Sequence, residues 1–121
     1  MRTTILSLWL ALLPGLAIAA GSGGGFACDM RAMTSDERTQ HAALARELFA
    51  SVQEQKELKD GYAFRLPAER WRDAARWAEL EQKCCPFFSF TLDAAPDRGP
   101  VWLRITGRPG AKAFMKDEFG L

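Results

Sequence analysis

The sequence predicts a single small α+β domain, and three observations carry that prediction. Two long segments repeat apolar residues every three or four positions, three short ones alternate apolar and polar residues, and clusters of Gly, Pro and Asp separate them. A short terminal helix completes the order αβαββα. A chain of 121 residues has room for one domain of the common size of about 100–150 residues. With 48% hydrophobic and 26% charged residues it has the composition of a folded globular protein rather than a disordered or multi-span one.

The beginning of the chain differs from the rest. Arg2 supplies one positive charge, Ile5 to Leu16 form an apolar run, and Ala17-Ile18-Ala19 offers the small-x-small pattern of a cleavage site. This predicts a signal peptide over 1–19 and a bacterial protein that is periplasmic or secreted. The stretch Ile5 to Ala20 includes Ser7, Pro14 and Gly15 and falls short of the roughly 20 residues of a membrane span, so an uncleaved anchor is the lesser alternative. Gly21-Ser22-Gly23-Gly24-Gly25 reads as part of a flexible linker over 20–25, and the domain as residues 26–121. Lipidation at Cys28 is a minor alternative, because Gly25-Phe26-Ala27 lacks the Leu usual three residues before a lipidated Cys.

Thr34 and Glu37 have the spacing of a capping box, which predicts a helix from about Ser35. Leu44, Ala45, Leu48, Phe49 and Val52 continue its apolar stripe, and the helix is expected to reach Gln55. Asp60-Gly61 marks a turn. Tyr62, Phe64 and Leu66 then alternate with Ala63 and Arg65 as the first strand. Pro67 suits the first turn of a second helix, which carries Trp71, Ala74, Ala75, Trp77, Ala78 and Leu80 until Pro86 forbids continuation. Phe88, Phe90 and Leu92 form a second strand, the loop Ala95–Pro100 follows, and Val101, Leu103 and Ile105 form a third. Ala111, Phe114 and Met115 place the terminal helix, which reaches Phe119.

The expected assembly is a three-stranded, mainly antiparallel sheet with helices on one face, its strands in the order 1-3-2, a shortened ferredoxin-like arrangement. Arg65, Thr91, Trp102 and Arg104 should share the opposite face. A solvated sheet surface is the expected role for them, with a cation–π binding surface as the alternative.

Lys plus Arg is 16 and Asp plus Glu is 15, a formal charge of +1 with His41 neutral. Loss of the leader would remove Arg2 and leave a neutral chain. No nucleic-acid footprint is expected on that balance. No phosphate loop or paired-carboxylate constellation names a reaction, so the chain reads as a binding protein without catalytic residues.

The three cysteines, Cys28, Cys84 and Cys85, are the most informative residues. An odd thiol in an oxidising compartment is reactive, paired with another molecule, or held by a metal. Adjacent cysteines have Cα atoms about 3.8 Å apart, too close for an ordinary disulfide at about 5.5–6 Å. A disulfide would therefore recruit Cys28 and leave one of the pair free. Adjacent side chains diverge in a helix or a strand, but both sulfurs can converge at the irregular exit before Pro86. With Cys28 brought there, three thiolates would make a site for a soft ion such as Hg(II) or Cu(I), with Zn(II) less suited. A nucleophilic cysteine is disfavoured at the negative end of a helix, where only Lys83 helps.

His41 lies three residues before Leu44 and seven before Leu48, on the core side of the first helix. A partly buried histidine satisfied by a backbone carbonyl is the expected reading, and a fourth ligand in a Cys3His site the alternative. Glu81 precedes Cys84 by three residues. It reads as a helix-surface charge, with carboxylate ligand or ligand-orienting group as alternatives.

The strings Cys28-Asp29-Met30-Arg31-Ala32-Met33-Thr34, Glu37-Arg38 with His41, Asp60-Gly61-Tyr62-Ala63-Phe64-Arg65, Glu81-Gln82-Lys83-Cys84-Cys85-Pro86-Phe87-Phe88-Ser89-Phe90 and Trp102-Leu103-Arg104-Ile105-Thr106-Gly107 resemble a family of small bacterial proteins sharing a CCPF motif. The likeness spans almost all of residues 26–121. Segments of that kind are attached to or encoded near mercury-type regulators, so the resemblance implies a thiophilic-metal role for Cys28, Cys84 and Cys85 together. Many relatives lack the export signal.

The sequence thus leads to an exported soft-metal-binding protein with a three-thiolate site, whose partner is the metal ion and whose only membrane association is through an uncleaved leader. A thiol-redox protein with a Cys28 disulfide to Cys84 or Cys85, or a disulfide-stapled interaction domain, is the alternative.

Overall fold

The computed structural model describes residues 25–121. The expected leader over 1–19 and all of the linker but Gly25 lie outside the described residues. Among the described residues no helix is long and apolar enough to cross a membrane.

The first helix, α1 (Ser35–Ala50), starts with the capping box its sequence announces. Thr34 Oγ1 accepts from the Glu37 amide at 3.1 Å, and the Thr34 amide donates to Glu37 Oε1 at 3.1 Å. It ends at Ala50 rather than Gln55, and the chain at once enters a strand, β1 (Glu54–Leu58). A two-residue connection leads to β2 (Gly61–Leu66), antiparallel to β1 with Glu54 opposite Arg65 and Leu58 opposite Gly61. Gly61 has to be glycine because a Cβ there would collide with the Ile105 carbonyl of the neighbouring strand.

Pro67 precedes a single 3-10 turn (Ala68–Arg70) that feeds α2 (Trp71–Cys84). Next come β3 (Phe88–Ala94), β4 (Val101–Gly107) and the terminal helix α3 (Ala111–Phe119), flanked by Gly110 and Gly120 in the left-handed region. The fold is α+β with three helices and a four-stranded antiparallel sheet in the order β1-β2-β4-β3. The expected three strands are therefore corrected to four, and the expected order αβαββα to αββαββα. Within the sheet β4 lies between β2 and β3, which α2 connects as a split β-α-β unit.

The strand register puts Tyr62, Phe64 and Leu66 of β2 on the same face as Val101, Leu103 and Ile105 of β4 and Phe88, Phe90 and Leu92 of β3. All three helices pack on that face. Phe49 of α1 meets Phe64 edge-on at 5.4 Å, Trp77 of α2 meets Phe90 at 5.9 Å, and Phe114 of α3 meets Phe88 at 6.1 Å. Burial of each such side chain stabilises the fold by about 1.5–3 kcal/mol. The opposite face carries Arg65 opposite Trp102 and Thr91 opposite Arg104, with Lys56 over the Trp102 ring at 4.8 Å and Asp93 paired to Arg104. Its charges are matched locally, as a solvated sheet surface requires.

Candidate thiol and metal site

The site forms where α2 stops. The Cys85 amide makes the last helical bond, to the Glu81 carbonyl at 2.7 Å, but Cys85 itself has left helical geometry at φ −125°, ψ 70°. That break brings adjacent side chains together, and Cys84 Sγ lies 3.7 Å from Cys85 Sγ. The helix also leaves carbonyls without intrahelical partners, and one of them recruits the N-terminal segment. The Asp29 amide donates to the Cys84 carbonyl at 2.8 Å. Phe26, packed edge-on against Phe87 at 5.0 Å, anchors the same segment from the other side.

Cys28 is thereby held against the helix exit and forms a disulfide with Cys85, Cα to Cα 4.7 Å, while Cys84 is a free, buried thiol. One ligand atom from each of Cys28, Glu81, Cys84 and Cys85 falls within 4.8 Å of the others. Two fragments 57 residues apart thus meet in one cluster of three sulfurs and a carboxylate.

Glu81 is not a helix-surface charge. Only 2% of it is exposed. It follows Ala74, Trp77 and Ala78 at seven, four and three residues, on the buried face of α2, and that spacing was the signal for its burial. Its carboxylate is shared: Oε2 pairs with His41 Nε2 of α1 and lies 3.8 Å from Cys84 Sγ. His41 is partly buried as expected, but a carboxylate satisfies it rather than a backbone carbonyl, and it stands behind Glu81 rather than among the sulfurs. Its ring stacks on Trp77, centroids 6.1 Å apart.

Electrostatics keep Cys84 protonated. Burial, and then the negative charge of Glu81, push its thiol from an ordinary value of 9.0 up to about 12. The Cys84 sulfur also lies 3.4 Å from the Glu81 carbonyl. Lys83, the cation expected to help, points away to Glu37, whose carboxyl it holds down at about 2 together with the Thr34 amide. The free thiol is therefore a poor nucleophile. A bound cation would reverse this, since a coordinating thiol loses its proton outright.

With the disulfide opened, the same four side chains would offer three thiolates and one carboxylate, and the Cys84 and Cys85 sulfurs already stand 3.7 Å apart. Comparison of the chain with protein-family models, with curated proteins and with solved structures finds no match.

Proposed function

We propose that the reduced protein binds a soft metal ion, of the Hg(II) or Cu(I) type, through the thiolates of Cys28, Cys84 and Cys85, with the Glu81 carboxylate beside them. The observation that carries this reading is the convergence of four ligand atoms within 4.8 Å from two distant segments. Of the two possible additional ligands the sequence offers, His41 and Glu81, it is Glu81 that stands beside the sulfurs, and His41 is the group that orients it. The Cys28–Cys85 disulfide is then the metal-free, oxidised resting form. Two electrons and two protons from a dithiol reductant open it, and binding of the ion releases the thiol protons. The leader pattern read from the sequence over 1–19 is the ground for proposing that this function lies outside the bacterial cytoplasm.

Native mass spectrometry of the dithiol-reduced protein with one equivalent of Hg(II) or Cu(I), with thiols counted by alkylation, tests the proposal. One bound ion and three protected thiols are expected, and Cys28→Ser should weaken binding at least tenfold. Unchanged affinity in that variant would sink the three-thiolate site. Catalytic reduction of the disulfide with a potential above about −300 mV would instead favour thiol exchange, the reading that the 3.7 Å approach of Cys84 to the disulfide supports.

A further inference from the structure

The two sulfurs of the Cys28–Cys85 disulfide are not equally open to a reagent in solution. Cys85 is 0% exposed and the neighbouring Cys84 1%, so neither offers surface to an incoming group. Within the cluster of Cys28, Glu81, Cys84 and Cys85, Cys28 alone is only partly buried. Thiol–disulfide exchange begins when a thiolate reaches one of the two sulfurs, and access decides which.

The chain around the two residues accounts for the difference. Cys85 leaves α2 into the apolar core, in one cluster with Leu80, Phe88 and Met115. Cys28 lies in the N-terminal segment that meets the end of the helix from outside, and Ala27, Asp29 and Met30 beside it are exposed. Asp29 pairs with Arg31 at 3.4 Å, which offsets the negative charge that would otherwise repel an anionic thiolate.

We infer that Cys28 is the site at which an external thiol adds to this protein, by exchange into the Cys28–Cys85 disulfide. The incoming thiolate attacks Cys28 Sγ and forms a new S–S bond with it. The Cys28–Cys85 bond breaks, and Cys85 leaves as the thiolate and takes one proton from solvent. It leaves 3.7 Å from Cys84 Sγ, whose S–H can donate to it. One disulfide has replaced another, and no net electrons have moved. A dithiol completes the reduction: its second thiolate attacks its own sulfur in the mixed disulfide, Cys28 leaves and is protonated, and the reagent departs as a disulfide after giving two electrons. A monothiol stops at the adduct until a second molecule follows. This addition presupposes the disulfide resting form of the proposed function and supplies that function with a control. A thiol left on Cys28 withholds one of the three sulfurs from the site, and a dithiol releases it.

The test uses the full chain in its disulfide form and free of metal, so its outcome is independent of metal binding. The folded protein is exposed briefly to glutathione, quenched in acid, unfolded, alkylated with N-ethylmaleimide and digested with trypsin. Cleavage after Arg31 and Lys83 puts Cys28 on one peptide and Cys84 with Cys85 on another, Cys84–Arg98, so mass spectrometry reads where glutathione sits. Glutathione should be at least tenfold more abundant on Cys28 than on Cys84 and Cys85 together, and in guanidinium the preference should shrink below threefold. A Cys-x-x-Cys protein with its second cysteine replaced by serine is run in parallel. Trapping of both probes on Cys28 assigns the site to protein and small thiols alike, and trapping of glutathione alone assigns it to small thiols. Adducts mainly on Cys84–Arg98, no adduct from either probe on the folded protein, or a preference that persists in guanidinium would each overturn the inference. Three free thiols before any reagent is added would overturn it together with the disulfide resting form.

Discussion

The two ends of α2 contrast sharply although they belong to one helix. At its start, Trp71 is 49% exposed and borders an open hollow of about 490 Å³ with Arg72 and Arg98. At its end, the Cys84 thiol, the Glu81 carboxylate and the Cys85 half of the disulfide are buried, with Cys28 half-buried against them, and the nearby hollow is the smaller one. The larger recess is thus nowhere near the reactive groups. Recess size follows from how loosely two elements meet, whereas chemistry needs groups whose protons and charges are controlled by burial. The end of α2 has that control because the N-terminal segment and α1 both close over it.

This contrast is testable residue by residue. The largest difference is expected between the two tryptophans. Trp77→Ala should cost about 3–5 kcal/mol of stability in urea unfolding, because it empties the centre of the helix–sheet interface. Trp71→Ala should change it by less than about 0.5 kcal/mol. Equal effects would mean that the two ends are not differently packed.

Next in size is the disulfide. Cys85→Ser should cost about 2–4 kcal/mol under oxidising conditions, since the crosslink closes a separation of 57 residues. The loss should shrink when wild type is measured reduced. Glu81→Gln comes third, at about 1–3 kcal/mol, by depriving His41 of its charged partner, while Glu69→Gln at the open end should be neutral. The same Glu81→Gln change removes the charge that helps hold the Cys84 proton, so alkylation of Cys84 in partly denatured protein should quicken.

The smallest effect concerns acid stability. Lys83 and the Thr34 amide lower the Glu37 carboxyl from 4.5 to about 2. A folded-state value below the unfolded one stabilises the fold above the unfolded value and loses that contribution as pH falls toward 2. Lys83→Ala should flatten the fall in urea midpoint between about pH 5 and pH 2, and an unchanged slope would remove Lys83 as its cause.

How far the sequence could be read depends on what each element uses to hold itself in place. The capping box at Thr34, the alternation of Tyr62, Phe64 and Leu66, and the stop before Pro86 are local signals, and each is present in the structure. Strand β1 carries no such signal. Glu54–Glu57 are all exposed, and their strand form comes from backbone pairing with β2 at the sheet edge. Side-chain pattern therefore assigned its beginning to the preceding helix. In the site, the sequence marked the three cysteines and kept His41 and Glu81 as possible additional ligands, but its preferred reading of Glu81 was a surface charge, because a single acidic residue on a buried helix face is rare enough to be read outward.

By itself the sequence determined the α+β class, the start of α1, the stop of α2 and the convergence point of Cys84 and Cys85, since these depend on caps, prolines and residue periods within a few positions. Tertiary structure alone decided which cysteine pairs with Cys28 and which side chain stands fourth in the cluster. Those outcomes depend on groups far apart in the chain, brought together by the Asp29 amide at the end of α2 and by α1 lying across it. A backbone hydrogen bond between residues 29 and 84 has no signature in side-chain spacing, and yet it places the sulfur that completes the site.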